Sequence, residues 1–62
     1  MDMSTVEIVL DDGAVIVAFS AHRDPNEFLE DVRLNIRQYL TKFYEETGFF
    51  VSDRKATEVR LA

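Results

Sequence analysis

VLDDGAVIV, residues 9–17, sets Asp11-Asp12-Gly13 between two apolar runs and reads as the turn of a β-hairpin. Asp12-Gly13 suits a type I′ turn, whose two central positions need the positive φ that these residue types tolerate best. A two-residue loop there sets Leu10 opposite Val15, Ile8 opposite Val17 and Val6 opposite Phe19. Every large apolar residue of both strands except Val9 and Ile16 then falls on one face. A three-residue loop would put Glu7 opposite Val17 and split that set, so the sequence predicts the tighter turn. On the second face Val9 meets Ile16, with Ala14 and Ala18 diagonal to them. This small patch reads either as half-exposed strand surface or as a sheet face covered by a second subunit.

After Phe19 the spacing changes. Asp24 is placed to cap a helix, Pro25 suits its first position, and Glu27 sits three residues after the cap. At about 100° per residue, Phe28, Leu29, Val32, Ile36, Tyr39, Leu40 and Phe43 share one stripe, and Thr47-Gly48 supplies a stop. One helix of that length runs about 34 Å, against about 20 Å for a six-residue strand, so its last two turns overhang the hairpin. The stretch after Gly48 is expected to cover the overhang, with a short strand at Phe49–Val51, a turn at Asp53–Lys55 and a last strand at Thr57–Leu61 with Val59 and Leu61 inward. The predicted fold is α+β: a small single-layer antiparallel sheet packed on one long helix, ββαββ, or ββαβ with a loose tail. Residues 1–62 read as one small domain, with no linker, repeat or low-complexity segment. Leu34 is the one large apolar residue on the outer side of the helix and reads as exposed.

A chain of 62 residues buries only about 60% of the surface its unfolded form exposes, so the core is small. No cysteine is present to form disulfides or thiolate metal sites, which leaves association as a homodimer as the expected extra support. The acidic start at Asp2 and the short apolar run Ala14–Phe19 point away from a signal segment or a membrane span, and the lack of cysteine fits a cytoplasmic setting. Twelve acids against seven lysines and arginines give a net charge of −5, which disfavours nonspecific nucleic-acid binding. The charge is uneven: five acids face Arg23 up to Asp24, five face three bases from Pro25 to Thr47, and two face three bases in the remainder.

Catalytic sets are missing from the pattern. His22 has no second histidine or cysteine beside it, so neither a zinc site nor a nucleophilic dyad has its parts, and a structural or incidental histidine is expected. The carboxylate pairs Asp11/Asp12, Glu30/Asp31 and Glu45/Glu46 sit in no apolar run that would raise a pKa for acid catalysis. Asp11-Asp12-Gly13 lacks the spaced oxygens of a calcium loop, and no glycine-rich phosphate loop occurs. No metal or cofactor is expected.

What remains is a small, acidic, non-enzymatic module that binds another protein, such as a regulator or inhibitor of the kind that viruses and mobile elements encode. Its expected dimer or partner interface combines Phe43, Tyr44, Phe49 and Phe50 with Val9 and Ile16. Asp11, Asp12, Glu27, Glu30 and Asp31, with Glu7 and Asp24, form an acidic surface toward a basic partner. The alternative is a weak single-stranded nucleic-acid binder that stacks bases on Phe49 and Phe50 beside Arg54, Lys55 and Arg60.

Overall fold

The computed structural model describes residues 3–21 and 24–62; His22 and the role expected of it lie outside the described residues. Strands β1 (Met3–Leu10) and β2 (Val15–Ala21) form the hairpin, and β3 (Ala56–Leu61) joins the other side of β1, giving the antiparallel order β2-β1-β3. Helices α1 (Pro25–Leu34) and α2 (Ile36–Thr47) and a 3₁₀ turn at Asp53–Lys55 lie between β2 and β3. The class is α+β, a small antiparallel sheet packed on helix, in the order ββααβ.

The hairpin register differs from the expected one by a single residue. Leu10 N–H donates to the Ala14 carbonyl at 2.8 Å and Gly13 N–H to the Leu10 carbonyl at 3.0 Å, closing a three-residue loop. That loop needs positive φ only at Gly13, at +88°, whereas the two-residue turn would force Asp12 there as well. Asp12 instead accepts the Ala14 N–H on Oδ1 at 2.9 Å. The pairs become Glu7 with Val17, Ile8 with Ile16 and Val9 with Val15. A one-residue slip exchanges the faces of a strand, so Ile16 enters the core beside Val6, Ile8 and Leu10, while Val15, Val17 and Phe19 turn outward. The inner face of β2 tolerates this because α1 packs over β1 and β3, leaving the small Ala18 and Ser20 at the border. Gly13→Val should destabilise the fold by more than about 1 kcal/mol, since a β-branched residue resists positive φ. Open space surrounds the position, so backbone strain alone sets that loss, and a thermal melt equal to the wild type would contradict it.

The helix start follows the sequence. Asp24 Oδ2 accepts the Glu27 N–H at 3.1 Å and Pro25 takes the first position. Phe28, Val32 and Leu40 are buried, with Leu29, Ile36, Tyr39 and Phe43 packed against them. The expected single helix is interrupted at Asn35, with φ −123° and ψ 36°. Its side-chain nitrogen donates to the Asp31 carbonyl at 3.1 Å and to Asp31 Oδ1 at 3.0 Å, a local alternative to helical bonding that asparagine readily takes. The Tyr39 hydroxyl donates to the other Asp31 oxygen across the break, and the Tyr39 ring meets Phe28 edge-on at 6.0 Å. The longest extent of the fold is 31 Å, less than the roughly 34 Å an unbroken helix would need.

Gly48, at φ +81°, ends α2 with its N–H on the Tyr44 carbonyl. The strand expected at Phe49–Val51 is absent, because β2 and β3 already occupy both edges of β1 and Val51 packs on the core instead. The tail is paired rather than loose. Ala62 N–H donates to the Thr5 carbonyl at 3.1 Å, Asp11 N–H to the Lys55 carbonyl at 2.9 Å, and Thr57 Oγ1 to the Val9 carbonyl at 3.1 Å. Val59 and Leu61 stand opposite Ile8 and Val6 on the inner face as expected, although Leu61, at the sheet end, keeps 39% of its surface exposed.

Candidate protein-interaction surface

Two exposed apolar regions emerge from this fold, on opposite sides of the core. The first is the sheet face turned away from the helices. The slipped register gathers Val15, Val17 and Phe19 of β2 there beside Met3 and Val9 of β1, and Phe19 is 64% exposed. The β3 side of the same face is charged: Arg60 Nε meets Glu7 at 2.9 Å and its Nη1 meets Glu58 at 3.1 Å. These partners raise the Arg60 pKa, chiefly through the hydrogen bond to Glu7.

The second region lies between α2 and the segment after Gly48. Thr47 Oγ1 donates to the Phe43 carbonyl and accepts from Phe49 N–H, which turns the chain back along the helix. Phe50 then sits edge-on to Tyr44 at 6.3 Å and 81°. Together with Leu40, Thr41 and Val51 the two rings line a groove of about 400 Å³, within the range of ligand-binding clefts. Its mouth is framed by Arg37 and Asp53, whose Nε and Oδ2 lie 2.9 Å apart. The hydrogen bond from Arg37 is the main reason the Asp53 carboxyl titrates below its ordinary range. A carboxyl lowered in the folded state supports that state above its ordinary pKa, and the support fades as pH falls through the lowered value. The Arg37–Asp53 ion pair is therefore present at neutral pH and weakens as the Asp53 carboxylate is protonated in acid.

The predicted interface residues divide between these regions. Tyr44 and Phe50 come together in the groove and Phe49 is exposed beside them, but Phe43 packs against the core. Val9 lies on the open sheet face, and Ile16, expected on the hairpin's back, is 7% exposed in the core. Of the acidic residues, Asp11, Asp12, Glu27 and Glu30 are exposed. Glu30 holds Arg33 at 3.1 Å, and Asp31 is committed to Asn35 and Tyr39, so it belongs to the helix break rather than to an acidic surface. Val15, Val17, Phe19, Arg37 and Asp53 were not expected at a surface site. Only the loop length after Leu10 carries the signal for the three β2 residues, since both parities of that strand are apolar.

Among the described residues, no cluster of three or more histidine, aspartate or glutamate side chains is placed to hold a metal, and no buried side-chain nitrogen or oxygen lacks a partner. No helix among them is long and apolar enough to cross a membrane. Comparison of the chain with protein-family models, curated proteins and solved structures finds no match.

Proposed function

We propose that this chain is a small acidic, non-enzymatic protein-binding module that works as a homodimer in the cytoplasm, as a regulator or inhibitor of a partner protein. The observation that carries this proposal is Phe50, 79% exposed yet held against Tyr44 over an apolar groove floor of Leu40 and Val51. An aromatic ring fixed at the rim of a groove loses little freedom on binding, which is the character of an interface anchor. Glu45 and Glu46 follow Tyr44 on α2 and are exposed, so an apolar side chain flanked by basic residues is the complementary partner feature.

Affinity capture from a native-host lysate tests the proposal. The wild-type chain should retain a specific protein, and Phe50→Glu should lose it, by about 30-fold for an anchor worth about 2 kcal/mol. Equal capture by both chains would contradict the groove. Single-stranded nucleic acid is the alternative ligand, with Phe49 and Phe50 as stacking surfaces and Arg54 and Lys55 nearby. Arg60, the third cation in that scheme, is already engaged by Glu7 and Glu58. Titration with labelled single strands at low salt should show no binding, whereas micromolar binding that weakens steeply with salt would favour the alternative.

A further inference from the structure

We propose that a second copy of this chain docks along the outer edge of β2, the two β2 strands pairing antiparallel about a two-fold axis at Ala18 to give one six-stranded sheet. This deepens the homodimer reading above and rests on it.

The two sheet edges differ in kind. Ala62 N–H bonds the Thr5 carbonyl, so by the alternation of an antiparallel ladder Val59 turns its backbone groups away from β1. That outward carbonyl is already taken by Arg33 Nη2 at 3.2 Å. Glu58 and Arg60 add charge to the same strand, and the register shifts at Val9/Leu10, so β3 carries several of the devices that block a strand edge. β2 carries none of them: Val15–Ala21, VIVAFSA, is seven residues without a charge, a proline or a register shift against β1. The Leu10/Ala14 hydrogen bond marks the even-numbered residues of β2 as those bonded to β1. Val15, Val17, Phe19 and Ala21 therefore direct N–H and C=O outward; among the described residues, the backbone groups of Val15, Val17 and Phe19 meet no strand on that side, and the Ala21 carbonyl accepts only the neighbouring Ser20 hydroxyl, at 3.4 Å.

A copy of the same chain fits this edge for two reasons. With Ala18 opposite Ala18 of the second copy, Val15 meets Ala21, Ile16 meets Ser20 and Val17 meets Phe19. The outward-directed residues thus face each other in hydrogen-bonding pairs, and a smaller side chain stands opposite a larger one at each pair off the axis. Each copy also carries −5, and β2 is a strip on which neither presents a charge, so two like-charged bodies meet there with the least repulsion. A strand recognised through charge would find nothing to select on β2. Main-chain pairing over seven residues makes a small interface, so the dimer should form in the micromolar range.

Sedimentation of the full chain tests this. The wild type should approach twice 7.2 kDa at micromolar concentration, and Val17→Lys, which changes an exposed side chain, should sediment as a folded monomer by circular dichroism. The chain has no cysteine, so Ala18→Cys introduces one thiol, placed to cross-link to its symmetry mate at a non-hydrogen-bonded pair. Under a glutathione redox buffer, most of Ala18→Cys should become covalent dimer, while the exposed control Leu34→Cys should not. A wild type that remains monomeric at every concentration would overturn the homodimer and this edge together. A dimer that persists in Val17→Lys without an Ala18→Cys cross-link, or that dissociates in Phe50→Glu, would keep the homodimer and overturn the β2 edge.

Discussion

Phe28→Ala should leave the chain largely unfolded at 25 °C. Phe28 is among the largest fully buried side chains, wedged between the sheet and the edge-on ring of Tyr39. Removing a buried phenylalanine costs about 3–5 kcal/mol through lost burial and the cavity left behind. A core of this size rarely supplies more than about 3–5 kcal/mol in all, so the substitution removes most of the margin. Far-ultraviolet circular dichroism should show loss of helix, and Phe28→Leu should retain a cooperative melt at lower temperature. A Phe28→Ala chain that melts within a few degrees of the wild type would mean that the core is centred elsewhere.

The second large effect separates the two faces of β2. Ile16→Glu should unfold the chain at neutral pH, because a carboxylate placed among Ile8, Phe28 and the other core side chains loses hydration with no cation to replace it. Phe19→Glu, three residues further on, should change the stability of the monomer, measured below the concentration at which the chain dimerises, by no more than about 0.5 kcal/mol, because in the monomer that ring already stands in solvent. The tighter turn expected from Asp12-Gly13 requires the opposite order, with Phe19 in the core and Ile16 outside. Chemical denaturation of the two variants distinguishes the registers without a new structure.

Why the sequence misplaces this one strand is instructive. β1 is anchored by Thr5 and Glu7, which flank Val6 and leave Val6, Ile8 and Leu10 on one face with Val9 the single apolar exception on the other, and these three side chains are buried as expected. Val15 to Phe19 is apolar at both parities, so hydrophobicity leaves the face of β2 open and the turn decides it. The turn in its hydrogen bonds favours strain at one glycine over strain at an aspartate and a glycine. The helix boundaries at Asp24 and Gly48 were legible because both rest on local chemistry, a side-chain cap and a left-handed glycine. The break at Asn35 was not, because it depends on Asp31 and Tyr39 closing across it, a tertiary arrangement that the apolar stripe does not encode. Phe49–Val51 has the composition of a strand but finds no free edge of β1. Phe49 and Phe50, expected at a dimer or partner interface, are both exposed, and the pairing of Phe50 with Tyr44 follows from the reversal at Thr47-Gly48.

The proposed β2 edge depends on the register of the hairpin, and nuclear Overhauser effects between α-protons read that register directly. In an antiparallel ladder the closest α-protons belong to non-hydrogen-bonded pairs. The three-residue loop predicts strong cross-strand effects between Glu7 and Val17 and between Thr5 and Phe19. Strong effects linking Ile8 to Val17 and Val6 to Phe19 would restore the two-residue turn, return Val17 and Phe19 to the core, and remove the apolar outer strand on which self-association is built.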